Sequence, residues 1–310
     1  MARKEGIIEL AYTLLNSPVD PNLKCPLELV DIVNFVEVEA GDDVYYFASP
    51  AQDRADTEVV VADAAGSLTY IKVALKTAVA LTFSGLQSKL ETVLLDEILN
   101  SKDQGALAAK KDGIIRSMDN IEKKNILSLC LAASSQEVTK STGEDLLDVI
   151  IHMKQKCDKY AQDFVLLVAY DVAQAIETYD KDNTTSLNYS FPIMQQIEAL
   201  GIKKIIRIVG EDGSGNPILG DGKAILIGRE SAIANNGKPL TLSRRKFSKE
   251  VAEYSGAEDG ASRLVSIAQI PQVVNAAGKN TLGYGCYGYE SVVQVLLNPR
   301  AVSFSEDIIA

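Results

Sequence analysis

An α+β protein is predicted by three features of this 310-residue chain. An extended, β-rich stretch up to about residue 80 gives way to helical sequence between about 84 and 133. From Ser141 short apolar runs alternate with amphipathic ones, the texture of an α/β block. From Gly283 the chain turns β-rich again and ends apolar, where free termini are usually polar and frayed.

The elements follow in order. Lys4 to Leu15 has helical periodicity through Ile7, Ile8, Leu10, Ala11 and Leu14, and Ser17-Pro18-Val19-Asp20-Pro21 ends it. A segment of mixed character runs on to Phe35. Val44 to Phe47 reads as a short strand broken by Ser49-Pro50. Asp53, Arg54, Asp56 and Glu58 form a charged, solvated stretch. Glu58 to Val61 and Leu68 to Leu75 read as strands on either side of an Asp63-Ala64-Ala65-Gly66 turn, with Thr69, Ile71, Val73 and Leu75 on the drier face. This hairpin-like excursion has too few apolar residues for its own core and needs a partner to lie on.

Phe83 to Leu99 is expected to be one helix and Asp103 to Ala133 a longer one, with Leu107, Ile114, Met118 and Ile121 in phase. About thirty residues at ~1.5 Å each would span roughly 45 Å. Gly105 and Gly113 weaken its start. Ser141-Thr142-Gly143-Glu144 fits a capping box that opens an amphipathic helix through Leu147, Ile150, Ile151 and Met153. Phe164 to Ala169 is a buried strand followed by a helix to about Tyr179. Ile193 to Leu200 is a helix closed by Gly201. Lys204 to Val209 is a strand, Glu211 to Gly215 a turn, and Gly222 to Gly228 and Leu264 to Ile270 further strands. The glycines and tyrosines from Gly283 to Gly288 suggest a bend feeding a strand from Ser291 to Leu297. Pro299 cannot donate to a β ladder, so Asn298-Pro299-Arg300 interrupts the run before a last strand, Ala301 to Phe304.

Net charge is −11, with 46% hydrophobic and 24% charged residues, ordinary for a globular protein large enough to form more than one compact unit. The sign argues against a stripe that grips nucleic-acid phosphate. It suits a surface that lies beside DNA without sticking to it. Cys25, Cys130, Cys157 and Cys286 form no C-x-x-C pair, so reduced thiols are expected. Met1 to Asn16 lacks the apolar core of a signal peptide, and no apolar run approaches a membrane span; a cytoplasmic product is expected.

Motifs that carry chemistry fail on inspection. Gly283-x-Gly285-x-x-Gly288 precedes a strand, where a dinucleotide fingerprint must follow one and open a helix. Gly222-Lys223 lacks the hydroxyl residue of a phosphate loop, since Ala224 follows and Pro217 replaces the first glycine. Asp180-x-Asp182-x-Thr184 begins like a calcium loop but has Thr185 and Phe191 at the obligatory glycine and glutamate positions. Ser243-Arg244-Arg245-Lys246 fits S-x-x-K, although three cations in a polar segment read as a solvated or subunit-contact patch. His152, the lone histidine, lies in a helix beside Ile150, Ile151 and Met153 and has no companions for a triad or zinc set. No catalytic, cofactor-binding or metal-binding residue is expected, and no cofactor; the chain reads as a non-enzyme.

The succession of arm, extended β excursion, long helix, α/β block and returning terminal strand resembles the major capsid proteins of tailed double-stranded DNA phages, the Hong Kong 97-like fold shared with encapsulins. The resemblance rests on layout along almost the whole chain. It implies an N-terminal arm over 1–35, an extended loop over 36–80 (with Asp42 to Tyr70 as its body), and a peripheral domain over 81–140 whose spine helix is Asp103 to Ala133. It further implies an axial domain over 141–290 and a return strand of the peripheral domain over 291–310. The implied function is a structural subunit that self-assembles into hexamers and pentamers of an icosahedral shell, located in the virion capsid and assembled in the host cytoplasm. Implied partners are other copies of the chain, a portal, packaged double-stranded DNA held without sequence preference, and no membrane. Because the arm begins almost at Met1, a separate scaffolding protein, or prior removal of a scaffolding region, is also implied. Lys72 and Lys76 lie near the proposed loop, but no partner for a covalent cross-link stands out. An encapsulin-type nanocompartment shell is the alternative. A third reading is a cytosolic α/β enzyme with its ligand at a sheet switch point.

Overall fold

Among the described residues the longest helix lies across the longest strand, and this crossing organises the rest. The structure, a computed structural model, describes residues 26–41, 44–46, 79–87, 91–94, 105–182, 192–229, 238–250, 260–274 and 280–309. The expected helix Lys4 to Leu15 and the strands Glu58 to Val61 and Leu68 to Leu75 lie outside these residues.

In chain order the strands are β1 (Val33–Val38), β2 (Val44–Tyr46), β3 (Val79–Leu81), β4 (Ser84–Gln87) and β5 (Glu91–Leu94). Helix α1 (Gly105–Leu131) and helix α2 (Leu146–Cys157) follow, then β6 (Gln162–Val168), α3 (Tyr170–Asp182), α4 (Ile193–Ala199) and β7 (Ile202–Arg207). The chain closes with β8 (Ala224–Arg229), β9 (Leu240–Arg245), β10 (Arg263–Val274), β11 (Asn280–Leu296) and β12 (Val302–Ser305).

β11 is the axis of a six-stranded sheet. One of its edges pairs first with β10 (Ile267↔Cys286, Arg263↔Glu290) and then with β9 (Arg245↔Ser291, Leu240↔Leu296). Its other edge takes β5 (Thr92↔Gly285) and β4 (Leu86↔Glu290). β1 adds in parallel to β9. A second sheet has the order β12-β8-β6-β7, with β6 and β7 parallel and the other pairs antiparallel. The parallel pair needs the crossover that α3 and α4 supply. β2 and β3 pair with each other (Val44↔Leu81, Tyr46↔Val79), so the chain leaves at Tyr46 and returns beside its own exit at Val79.

Most expected elements are present with shifted ends. Residues 105–131 form the long helix, 162–168 a buried strand, and Gly201 closes α4 at φ +83°, a conformation that favours glycine. Four expectations are corrected. Phe83 to Leu99 is not a helix in its described part: Ser84–Gln87 and Glu91–Leu94 are strands, because the free edge of β11 offers them a hydrogen-bond ladder that outweighs local propensity. Gly283 to Gly288 is not a bend but part of β11. The capping box lies one residue beyond Glu144: Asp145 accepts from the Asp148 N–H at 2.9 Å and donates its own N–H to Asp148 Oδ2 at 3.1 Å. Ser243 and Arg244 are buried rather than solvated, 2% and 3% exposed.

One apolar core joins the two sheets. It runs from Leu29, Ile32 and Val33 through Ile126, Leu127 and Cys130 of α1 to Phe164–Val168, Ile225–Ile227 and Phe304, and on to Leu242 and Val292 of the larger sheet. Asn298 caps a short 3₁₀ turn at Pro299–Ala301 by accepting the Arg300 N–H. That turn passes the chain from β11 in one sheet to β12 in the other.

Candidate functional site

Residues 114, 118, 122, 126 and 130 lie four apart on α1 and therefore share one face. Ile114, Met118, Ile126 and Cys130 are buried there as expected of an apolar stripe. The central member is Glu122, which is fully buried. An isolated carboxylate in that position is untenable without partners.

The sheet supplies them. Arg244 on β9 grips Glu122 with a two-bond fork, Nε to Oε1 at 2.7 Å and Nη2 to Oε2 at 2.5 Å, the strongest common geometry for such a pair. Arg263 on β10 donates from Nη2 to Glu122 Oε2 (3.1 Å), from Nη1 to Asp119 Oδ1 (2.7 Å) and from Nε to Glu290 Oε2 (2.7 Å). Arg244 Nε also lies 3.4 Å from Glu290 Oε2, and its guanidinium sits 5.1 Å from the Phe35 ring centre. Register explains why these groups meet. Arg263 pairs with Glu290, and Arg245 with the next residue, Ser291, so β9 takes over from β10 along β11 at this seam. Strand alternation turns Arg245 the other way, onto Phe83 at 4.2 Å.

Three carboxylates thus face two guanidiniums. Burial, then the Glu122 charge, push the Glu290 carboxyl up to about 7, against the pull of Arg263 and Arg244. Among the described residues Glu290 Oε1 has no hydrogen-bond partner. Burial alone would lower Arg263, and Glu290, Glu122 and Asp119 more than reverse that, so it stays charged.

Another face of α1 is tied to the N-terminal segment and to the 209–216 loop. Lys123 Nζ donates to Glu28 Oε1 at 3.1 Å and to the Val209 carbonyl at 2.7 Å. Asn120 Nδ2 donates to the Glu211 carbonyl at 3.0 Å, and Lys124 Nζ to Asp212 Oδ2 at 2.7 Å. Asp212 Oδ1 accepts the N–H groups of Ser214 and Asn216. Lys124 and these two N–H groups hold its carboxyl well below the usual carboxylate range. A cleft lined by Arg116, Ser117, Asn120, Lys124 and Asp212 runs beside these contacts. The arrangement is a brace: one helix fixes a β sheet, an N-terminal segment and the 209–216 loop together.

The residues weighed for chemistry do not converge. His152 is half exposed and faces Glu144, Nδ1 to Oε1 3.5 Å. Lys246 pairs with Glu39. The Gly222 N–H donates to Asp171 Oδ2, and Lys223 pairs with Glu306. Asp180 accepts the Ile193 N–H at the start of α4. Cys130 and Cys157 are buried, which pushes their thiols up to about 12 and about 11. Among the described residues no group of His, Cys, Asp and Glu is placed to hold a metal ion, and no helix is long and apolar enough to cross a membrane. The buried cluster itself was not expected from sequence. Its signal was an acidic residue in phase with the apolar stripe of α1.

Solved structures similar to this chain include phage capsid proteins and encapsulins, proteins of the Hong Kong 97-like fold. A phage-related protein from Bordetella bronchiseptica RB50 matches with a TM-score of 0.51 at 12% identity, covering 97% of this chain and 96% of that one. A putative capsid protein of an E. coli CFT073 prophage matches with a TM-score of 0.47 at 9% identity, covering 97% and 98%. The SrpI encapsulin of Synechococcus elongatus PCC 7942 matches with a TM-score of 0.47 at 14% identity, covering 96% and 94%. No protein-family model and no curated protein matches the sequence.

Proposed function

We propose that this chain is the major capsid protein of a tailed bacteriophage, a non-enzymatic subunit that assembles as hexamers and pentamers into an icosahedral shell around double-stranded DNA. The observation that carries this reading is the full-length likeness to the phage-related protein of Bordetella bronchiseptica. A second observation supports it. β2 and β3 bracket residues 47–78, and a long excursion between paired strands gains burial when a neighbouring copy receives it.

In this reading residues 1–35 are an arm and 36–80 an extended loop that reach adjacent subunits. Residues 81–140 hold the spine helix α1 of a peripheral domain, 141–290 form the axial domain, and 291–310 return to the peripheral domain. The partners are further copies of the chain, a scaffolding protein and a portal. The acidic net charge lets packed DNA lie against the wall without adhering.

Size-exclusion chromatography and negative-stain electron microscopy of the expressed full chain test the proposal. Capsomers or closed shells are expected, and a small, closed oligomer would refute it. Particles isolated from the producing cells are expected to contain double-stranded DNA. Protein cargo in its place would identify a nanocompartment.

A further inference from the structure

We infer that the buried cluster at the crossing of α1 and β11 is a proton-binding site that governs how firmly the helix is held to the sheet, with Glu290 as the group that takes the proton. The inference concerns the subunit itself and stands whatever the shell encloses.

Three observations carry it. The charge count does not close: among the described residues Asp119, Glu122 and Glu290 meet two cations, Arg244 and Arg263. The hydrogen bonds are unevenly shared. Glu122 uses both oxygens, Oε1 for Arg244 and Oε2 for both guanidiniums, while Glu290 uses Oε2 alone and leaves Oε1 buried without a partner. An oxygen in that state is the one on which a proton costs no existing bond. Finally, the charged groups nearby on the same elements are engaged elsewhere: Lys123 of α1 with Glu28 and Val209, Arg245 of β9 over Phe83, and Glu37 of β1 with Ser262. Among the described residues no third cation enters the cluster, and a proton on Glu290 balances it.

The direction of the effect follows from linkage. Glu290 binds its proton more tightly in the clasped state, at about 7, than at its ordinary value of 4.5 once the helix lifts away. The contribution of Glu290 to the clasp is therefore fully present below about 4.5, is lost as pH rises from there to about 7, and is level above. Raising the pH from about 6 to about 8 is expected to lower the protection of α1 amides about tenfold after correction for intrinsic exchange.

The experiment is hydrogen exchange read by mass spectrometry on assembled full-length protein, with infrared difference spectra of the carboxylic C=O stretch over the same pH range. Wild type is expected to show a carboxylic band that disappears as pH rises through about 7, together with the loss of α1 protection. Glu290→Gln, isosteric with the protonated acid, is expected to remove that band and flatten the pH dependence of α1. Asp119→Asn, which removes one of the three negative charges at the rim of the cluster, keeps the test decisive should Glu290→Gln fail to fold; it is expected to move the band's midpoint to lower pH. A wild-type band that titrates only in the ordinary carboxylate range overturns the inference. So does a Glu290→Gln protein with unchanged α1 pH dependence, or an Asp119→Asn protein with an unmoved midpoint.

Discussion

Gly288 of β11 lies so close to Met118 of α1 that a Cβ at position 288 would stand 2.5 Å from the Met118 sulfur and 2.6 Å from Ile114 Cγ2. Such separations do not occur between real side chains, so the glycine sets how near the helix comes to the sheet. That approach in turn brings Glu122, one turn further along α1, within reach of Arg244 and Arg263.

Gly288→Ala is expected to destabilise the fold by about 1–3 kcal/mol, as overpacking of a close contact does. Met118→Ala, which empties a buried position, is expected to cost about 2–5 kcal/mol. Combined, the two should cost less than their sum, because the smaller residue at 118 makes room for the methyl group at 288. Denaturant unfolding of the four proteins checks this, and strict additivity would contradict it.

Arg244→Met leaves Glu122 buried with only Arg263 to hold it. A loss of about 3–5 kcal/mol is expected. Adding Glu122→Leu should recover much of that loss, since an apolar pair of similar size needs no compensation in that site. Equal stability of the single and double variants would show that the ion pair does not matter to the helix–sheet contact.

At the start of α2, Asp145→Ala removes the side chain that accepts the Asp148 N–H and the Tyr179 hydroxyl. About 1 kcal/mol of stability is expected to be lost. Ser141→Ala should stay within about 0.5 kcal/mol of wild type, because Ser141 meets Glu144 through its backbone N–H and carbonyl. Thermal melting of the two variants separates the true cap from the apparent one.

Cys130 and Cys157 carry thiols that burial holds at about 12 and about 11. Little thiolate is present at mildly alkaline pH, and reagent access is poor. Alkylation followed by peptide mass spectrometry should label both slowly in native protein and quickly after denaturation. Rapid native labelling would mean that α1 or α2 opens readily.

Sequence alone was most informative where a pattern repeats within one element. The stripe through Ile114 and Met118 marked α1, the unbroken run Phe164 to Ala169 marked β6, and Gly201 marked the end of α4. It misled at 83–94, where Phe83, Leu86, Leu90 and Leu94 fall at helical spacing although Ser84–Gln87 and Glu91–Leu94 are strands. Periodicity reports which residues are apolar in phase, and it is silent on whether a distant strand edge stands open to receive them. The same holds for Gly285, which reads as a breaker yet pairs with Ala268 on one side and Thr92 on the other. The buried cluster was hidden for a related reason. Arg244 sits among cations that look solvated, and Glu290 follows a tyrosine in a glycine-rich run.

What the amino-acid order determined by itself was the class of fold and the position of the long helix, because helix and strand periods are local and survive without knowledge of neighbours. What only the tertiary structure decided was the pairing of residues 122, 244, 263 and 290, which lie far apart in the chain. Those charges are stable in the interior solely because the register of β9 and β10 on β11 places them within hydrogen-bond distance, and register between remote strands is a property of the assembled sheet.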